Sequence, residues 1–383
     1  MDAVESQPSA PASIYTVSSI SRPSSCSPVP PAEPPSALPA GIPVSPLFEV
    51  RQTRTAGRAV FATQDIPKDT FIWRSDDLTL SVLLREYRRE VCGHCFGYEY
   101  GRDLAIRDQD VGFAFCSKAC LYTWRDWNGE IGVQAWTAVE KLTKNRAKED
   151  NEMVDEDLAR PRGREIRKAW ASVEAQAALI RTAREAEMDN TIQVTKQHRK
   201  AMSRALQAPI TPDVMSFCVS GLLFYYTHPS DWENILALAE DQTPYHSTED
   251  LDAFTRAYLH LLAILPLPLL PLATASNVLI LSSRDSHNSF GIRSLEDEGS
   301  EFFGYGCWPA ASYFNHSCGP NVEKRREGQV WEFRAGRDIE KGDELCITYL
   351  SGEERKLSRG KRMLRLRKTW GFECACERCD IAL

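Results

Sequence analysis

Seven cysteines in three tight groups constrain this chain more than any other feature. Cys92-x2-Cys95 and Cys116-x3-Cys120 are two close pairs separated by 20 residues, and Cys374-x-Cys376-x2-Cys379 stands near the carboxy end. Zinc takes thiolates at ~2.3 Å, and cysteines two or three residues apart reach one tetrahedral ion together. The first four cysteines therefore make one complete structural zinc site, with a small knuckle leading into the aromatic helix LYTWRDW. His94, between the first two, reads as a surface residue. Four unrelated core cysteines are the competing account, but these do not usually arrive as two close pairs. The terminal three thiolates are one short of a closed site, so a fourth ligand must come from elsewhere. Met1 is followed by a Pro/Ser-rich stretch with no apolar signal core, which argues for reduced thiols and against disulfides.

At 383 residues the chain is longer than one ordinary domain, so a large core with insertions or several modules is expected. Residues 1–46 hold 11 of the 22 prolines and 11 serines, too little apolar surface to offset the entropy of ordering them, and are expected to be disordered. Beyond Leu47, ATQDIPKDTFI (Ala62 to Ile72) is echoed by AGRDIEKGDEL (Ala335 to Leu345). Both read as turns between short strands, which implies one sheet system interrupted by insertions. The Ala/Glu/Lys/Arg-rich stretch from Glu130 to Arg204, broken near Pro161 and Gly163, and the apolar spacing from Pro212 to Leu265 read as a helical insert.

The uncharged stretch Leu261 to Ser283 raises a membrane span. Pro266, Pro268 and Pro271 would leave backbone groups unpaired in lipid, so it is read as a helix end, a loop and a strand at Asn277 to Leu281. A net charge of −7 argues against a nucleic-acid coat and fits a basic, lysine-rich partner. Arg355 to Lys368 carries eight Lys/Arg and no acid. A solvated helix face is the plain account of this run, with DNA or RNA contact as the sharper one.

NHSC (Asn315 to Cys318) is weak by itself. It is followed by Pro320-Asn321, by the strand-like QVWEFRAGRDI, by KGDELCITYL ending at Tyr349, and by WGFECACERC. This ordered set resembles the SET-domain protein lysine methyltransferases, and the knuckle after the first strands makes it similar to the SET-and-MYND subfamily. The resemblance implies an α+β chain. Its parts would be a first SET segment at 47–90, a MYND-like knuckle at 91–128, a helical insert at 129–275, a SET core with a pseudoknot at 276–350 and a post-SET zinc segment at 351–383. It also implies that Cys318 joins Cys374, Cys376 and Cys379 on a second zinc.

Carried over by position, the resemblance places S-adenosylmethionine contacts at Gly57, Arg58, Asn288, Ser312, Asn315, His316, Tyr349, Trp370 and Phe372. Asn315, His316 and Tyr349 would form the catalytic centre, with Tyr305 or Trp308 as further aromatic walls. Ala59 stands where the family's first loop has a second glycine, and the knuckle lacks the residues for the second zinc of a full MYND finger. Implied partners are a lysine-bearing protein, histone or non-histone. A monomer in nucleus or cytoplasm, with no helical-repeat domain after the cysteines, is expected. The alternative is an inactive SET scaffold that binds partners in transcriptional regulation.

Overall fold

The two echoing turns lie against each other. In the computed structural model, which describes residues 40–53, 57–144, 159–295 and 301–380, Ile66 and Ile339 exchange both backbone hydrogen bonds, at 2.8 and 2.9 Å. The Lys68 N–H donates to Asp338 and the Lys341 N–H to Asp65, so each aspartate caps the other copy's turn. Asp69 and Gly342 hold equivalent left-handed positions, at φ 66° and 96°. Sequence segments some 270 residues apart thus form one pseudo-symmetric joint, and everything between them is inserted around it.

Four small antiparallel sheets and nine α-helices are formed among the described residues. The strands are β1 (Phe48–Gln52), β2 (Arg58–Ala62), β3 (Phe71–Ser75), β4 (Leu80–Leu83), β5 (Ile106–Asp108), β6 (Phe113–Phe115), β7 (Ser289–Arg293), β8 (Phe302–Cys307), β9 (Val322–Glu327) and β10 (Val330–Ala335). They pair as β1-β2, β3-β10-β9, β4-β8-β7 and β5-β6. Gly304, central in β8, has φ +152°, and a Cβ there would lie 1.9 Å from the Val82 carbonyl oxygen, so no side chain fits this strand contact.

The helices are α1 (Lys118–Thr143), α2 (Gly163–Glu185), α3 (Lys196–Gln207), α4 (Pro212–Thr227), α5 (Trp232–Leu236), α6 (Thr248–Ile264), α7 (Ala275–Asn288), α8 (Gly352–Arg355) and α9 (Arg359–Trp370). α1 runs from the knuckle into the insert, kinked at Gly129, where φ is 62°. α4 enters with Pro212 in its first turn, buries Phe217, Cys218 and Leu222, and packs on β4 and α6. α2 lies across α3 and α6.

One expectation of secondary structure differs from the structure. Asn277 to Leu281 is helix, not strand: Thr274 caps α7 by accepting from the Asn277 N–H at 3.1 Å, and Val278 and Leu281 face the core one turn apart. The amino-terminal arm, expected to be disordered through residue 46, lies outside the described residues as far as 39, as does Cys26. Residues 40–46 are placed, with Ser45 bridging Phe48 and Gly41 against Asn234. No single described helix is long and apolar enough to cross a membrane, and the uncharged stretch from Leu261 to Ser283 is divided between α6, a short 3-10 turn and α7.

The knuckle is built into the sheet system. Gln329, in the β9–β10 turn, donates to the His94 carbonyl at 2.7 Å, and the buried Arg326 guanidinium lies over the Phe96 ring while donating to the Gly328 and Arg293 carbonyls. Tyr98 packs on Phe303 of β8, with ring centroids 4.6 Å apart.

Candidate functional site

The chemistry-bearing segment is held by backbone pairing. Ile347 bridges His316 in parallel, with the Ile347 N–H donating to the Asn315 carbonyl and the Ser317 N–H to the Ile347 carbonyl. Asn321 fastens the next turn, giving its side-chain N–H to the Glu344 carbonyl and accepting from the Cys346 N–H. Tyr349 and the Asn315-to-Cys318 loop, over thirty residues apart, are thereby set side by side.

His316 joins the two. Its Nδ1 accepts from the Tyr349 N–H at 3.0 Å, which puts the ring proton on Nε2, 3.3 Å from Cys318 Sγ. Burial, reinforced by the Lys324 and Arg362 charges, pushes this imidazole down to about 4, so the ring is neutral. Tyr349 donates its hydroxyl to the Phe314 carbonyl at 3.1 Å, leaving the oxygen lone pairs available. Burial raises its phenol well above the ordinary value, so Tyr349 stays protonated and is not a base.

Cys318 Sγ lies 3.6 Å from Cys379 Sγ and 4.0 Å from Cys374 Sγ, and Cys376 Sγ accepts from the Cys318 N–H at 3.4 Å. All four sulfurs fall within 4.8 Å of one another, as do those of Cys92, Cys95, Cys116 and Cys120, where successive Sγ distances are 3.6 and 3.4 Å. A tetrahedron of sulfurs ~2.3 Å from zinc has edges of about 3.8 Å, so both sets fit one ion each. His94 is in neither set. Arg362 donates to Cys379 Sγ and Arg378 to the Cys318 carbonyl, and such outer-shell donors fix thiolate ligands in place.

Between the NHSC loop and the carboxy-terminal cysteines opens a cavity of about 1010 Å³. All nine residues expected at a cofactor site line it. Tyr349, Trp370 and Phe372 form an aromatic corner, with ring centroids 5.5 and 6.2 Å from that of Tyr349. Gly371, at φ +73°, ends α9 in a left-handed cap that turns the chain between the last two rings. Several of the polar residues are engaged within the wall. Arg58 donates to the Tyr313 hydroxyl and the Ala237 carbonyl, and Asn288 to the Ala239 and Arg284 carbonyls. Asn315 donates to the Arg58 carbonyl and to Glu344, and Ser312 to the Asn288 carbonyl. Ala59, in place of a second glycine, is fully buried in β2 and needs no left-handed backbone.

Tyr305 and Trp308 are not part of the cavity lining. Trp308 is fully buried, donates its indole N–H to the Gln329 carbonyl and packs on Phe290 and Trp331, while Tyr305 packs on Phe217. The cavity also has walls that the motifs did not mark. Leu238, Ala239 and His287 come from the helical insert and the end of α7, and Glu344 and Arg378 add charge. His287 adjoins the marked Asn288 and Arg378 the marked Cys379, and Glu344 lies within the KGDELCITYL motif, while Leu238 and Ala239 had no signal.

Residues 57–350 match the SET domain family model, more than half of the chain. The chain belongs to the SET-domain family of protein lysine methyltransferases. The potential protein lysine methyltransferase SET6 of Saccharomyces cerevisiae is 28% identical, over 89% of this chain and 96% of the yeast protein. The histone-lysine N-methyltransferase ASHR2 of Arabidopsis thaliana is 29% identical over 48% of this chain and 49% of its own length. Human histone-lysine N-methyltransferase SMYD3 is 40% identical over 24% of this chain and 20% of its own. The match therefore spans nearly all of SET6, half of ASHR2 and a fifth of SMYD3. In this SET-family member Tyr349 lies inside the matched region, and Trp370 and Phe372 lie beyond its end.

Proposed function

We propose that this protein transfers a methyl group from S-adenosylmethionine to the ε-amine of a lysine in a protein substrate, histone or non-histone. One observation carries the reading: Tyr349 stands in a large cavity, its ring against Trp370 and Phe372, its hydroxyl anchored on Phe314 and its backbone on His316. Family membership and relatives named as lysine methyltransferases support it. Bound there, S-adenosylmethionine supplies a methyl group activated by its sulfonium charge.

The residues of the chain do the positioning. The aromatic corner would strip water from a lysine stem and favour the neutral amine, whose ordinary pKa of ~10.4 otherwise keeps it protonated. Rings at this spacing also accept the methylated cation by cation–π contact. The Tyr349 oxygen, with its own proton given to Phe314, offers lone pairs to orient the reacting groups, so catalysis rests on alignment and needs no dedicated base. Gly57, Arg58, Asn288, Ser312, Asn315 and His316 are assigned to the cofactor, and Cys318 with Cys374, Cys376 and Cys379 to a zinc that fastens the carboxy-terminal wall of the cavity. The Cys92 cluster is read as a reduced MYND-like finger, and nucleus or cytoplasm as the compartment.

The test is transfer of labelled methyl to histones and to cell-extract proteins, with the acceptor residue identified by mass spectrometry. Tyr349→Phe should lower transfer about 100-fold, the cost of misaligned reactants. Equal activity in that variant refutes the role of Tyr349. A zinc-loaded protein that does not bind S-adenosylmethionine would instead be the inactive scaffold.

A further inference from the structure

The post-SET wall of the cavity is fastened at one end by the cysteines at 374–379, yet its aromatic residues, Trp370 and Phe372, precede that anchor. Their other end is the carboxy terminus of α9, where helix geometry leaves carbonyls without intrahelical donors. One of these, the Lys368 carbonyl, accepts a 2.9 Å hydrogen bond from Arg160 Nη2. Arg160 lies just before α2, 208 residues away in sequence, and its second nitrogen reaches Asp241 Oδ2 at 3.3 Å and the Thr243 carbonyl at 3.5 Å.

Asp241 is held as a hub. Its Oδ1 accepts from the Thr243 N–H at 2.8 Å, and its Oδ2 from the Ser286 hydroxyl at 2.6 Å. His287 Nε2 stands 3.3 Å from the same Oδ2. Burial opposes ionisation of this carboxyl, but the Ser286 and Thr243 hydrogen bonds, with His287 and Arg160 nearby, hold it below the usual range. His287 also lines the cavity and lies under the left-handed turn, with its Nε2 3.6 Å from where a Cβ on Gly371 would sit. One carboxylate thus holds Arg160 by a hydrogen bond and stands beside His287, and both side chains bear on the end of α9.

We infer that Arg160 and Asp241 form a zinc-independent latch, by which the helical insert holds the Trp370-to-Phe372 wall closed over the cofactor cavity. They are positioning residues: neither lines the cavity. A planar guanidinium is needed because two acceptors in different directions must be reached at once, which a lysine ammonium cannot match in geometry. The consequence for cofactor affinity rests on the methyltransferase reading; the latch itself does not.

The experiment uses the full chain with both zinc ions, as wild type, Arg160→Gln, Arg160→Lys and Asp241→Asn. Native-state hydrogen exchange should show the amides of residues 368–376 opening roughly tenfold faster in Arg160→Gln and Asp241→Asn, the effect of losing a charge-assisted hydrogen bond. Arg160→Lys should restore this only in part, and the exchange of α4 and α6 should be unchanged. The dissociation constant and KM for S-adenosylmethionine should rise about tenfold with kcat at saturation little altered. Unchanged exchange at 368–376 overturns the latch, as does a uniform rise across all helices, which would mark general destabilisation. Faster local exchange in the variants, with a wild type that does not bind S-adenosylmethionine, keeps the latch and refutes the methyltransferase reading.

Discussion

Asp285→Asn should stabilise the protein at neutral pH. Asp285 lies on the last turn of α7 and accepts the Ser289 hydroxyl; burial, partly offset by that hydrogen bond and reinforced by the Asp250 charge, pushes its carboxyl up to about 7. A folded-state value above the unfolded one means the native protein binds the extra proton between about pH 4 and pH 7. Stability from this group is therefore greatest at the acid end, is lost as pH rises through that window, and is fully lost above it. About three units at ~1.4 kcal/mol each give a ceiling of ~4 kcal/mol at pH 8. Because Asp285 keeps partial solvent contact, about half of that is expected to survive relaxation.

An asparagine keeps an acceptor for Ser289 and removes the charge. Urea unfolding of wild type and variant at pH 5, 6.5 and 8 should show a difference in the variant's favour that grows by roughly 1–2 kcal/mol from the lowest to the highest pH. Both proteins share the same zinc sites, so metal loss cancels in the difference. A difference that stays flat, or an asparagine that destabilises at pH 8, refutes the assignment of a buried, charge-averse carboxyl.

Zinc analysis should find two ions per chain in wild type and one in either Cys116→Ser or Cys376→Ser, since the two sets share no ligand. His316→Ala should cut methyl transfer roughly 10- to 100-fold while zinc stays at two, the usual cost of removing a group that orients a metal ligand. Gly304→Ala, with its methyl driven onto the Val82 carbonyl, should lose more than ~3 kcal/mol or fail to fold, as read by thermal melting or solubility.

Much of the fold was legible because local spacing expresses it. Two cysteine pairs announce a four-sulfur cluster without long-range knowledge, and the DI-x-K echo at Asp65 and Asp338 marks two copies of one turn, although their mutual capping needed coordinates. The NHSC-to-Tyr349 order pointed to the SET fold. Asn277 to Leu281 reads as a strand in the sequence because a run of aliphatic residues is compatible with either a buried strand or a buried helix, and the Thr274 cap that decides it is a single hydroxyl. Trp308 was misplaced for a related reason: an aromatic next to the motif can face inward to a core as readily as into a cavity. The grouping of Arg160, Asp241 and His287 left no trace in the pattern, these residues being 46 to 127 residues apart in sequence and joined only by tertiary packing.

The account stands on Cys318 and the terminal thiolates closing a cavity around Tyr349. Calorimetric titration of S-adenosylmethionine into zinc-loaded protein should give one site per chain, lost in Cys376→Ser and retained in Cys116→Ser if the latter stays folded. No binding by the zinc-loaded wild type, or undiminished affinity in Cys376→Ser, would contradict it.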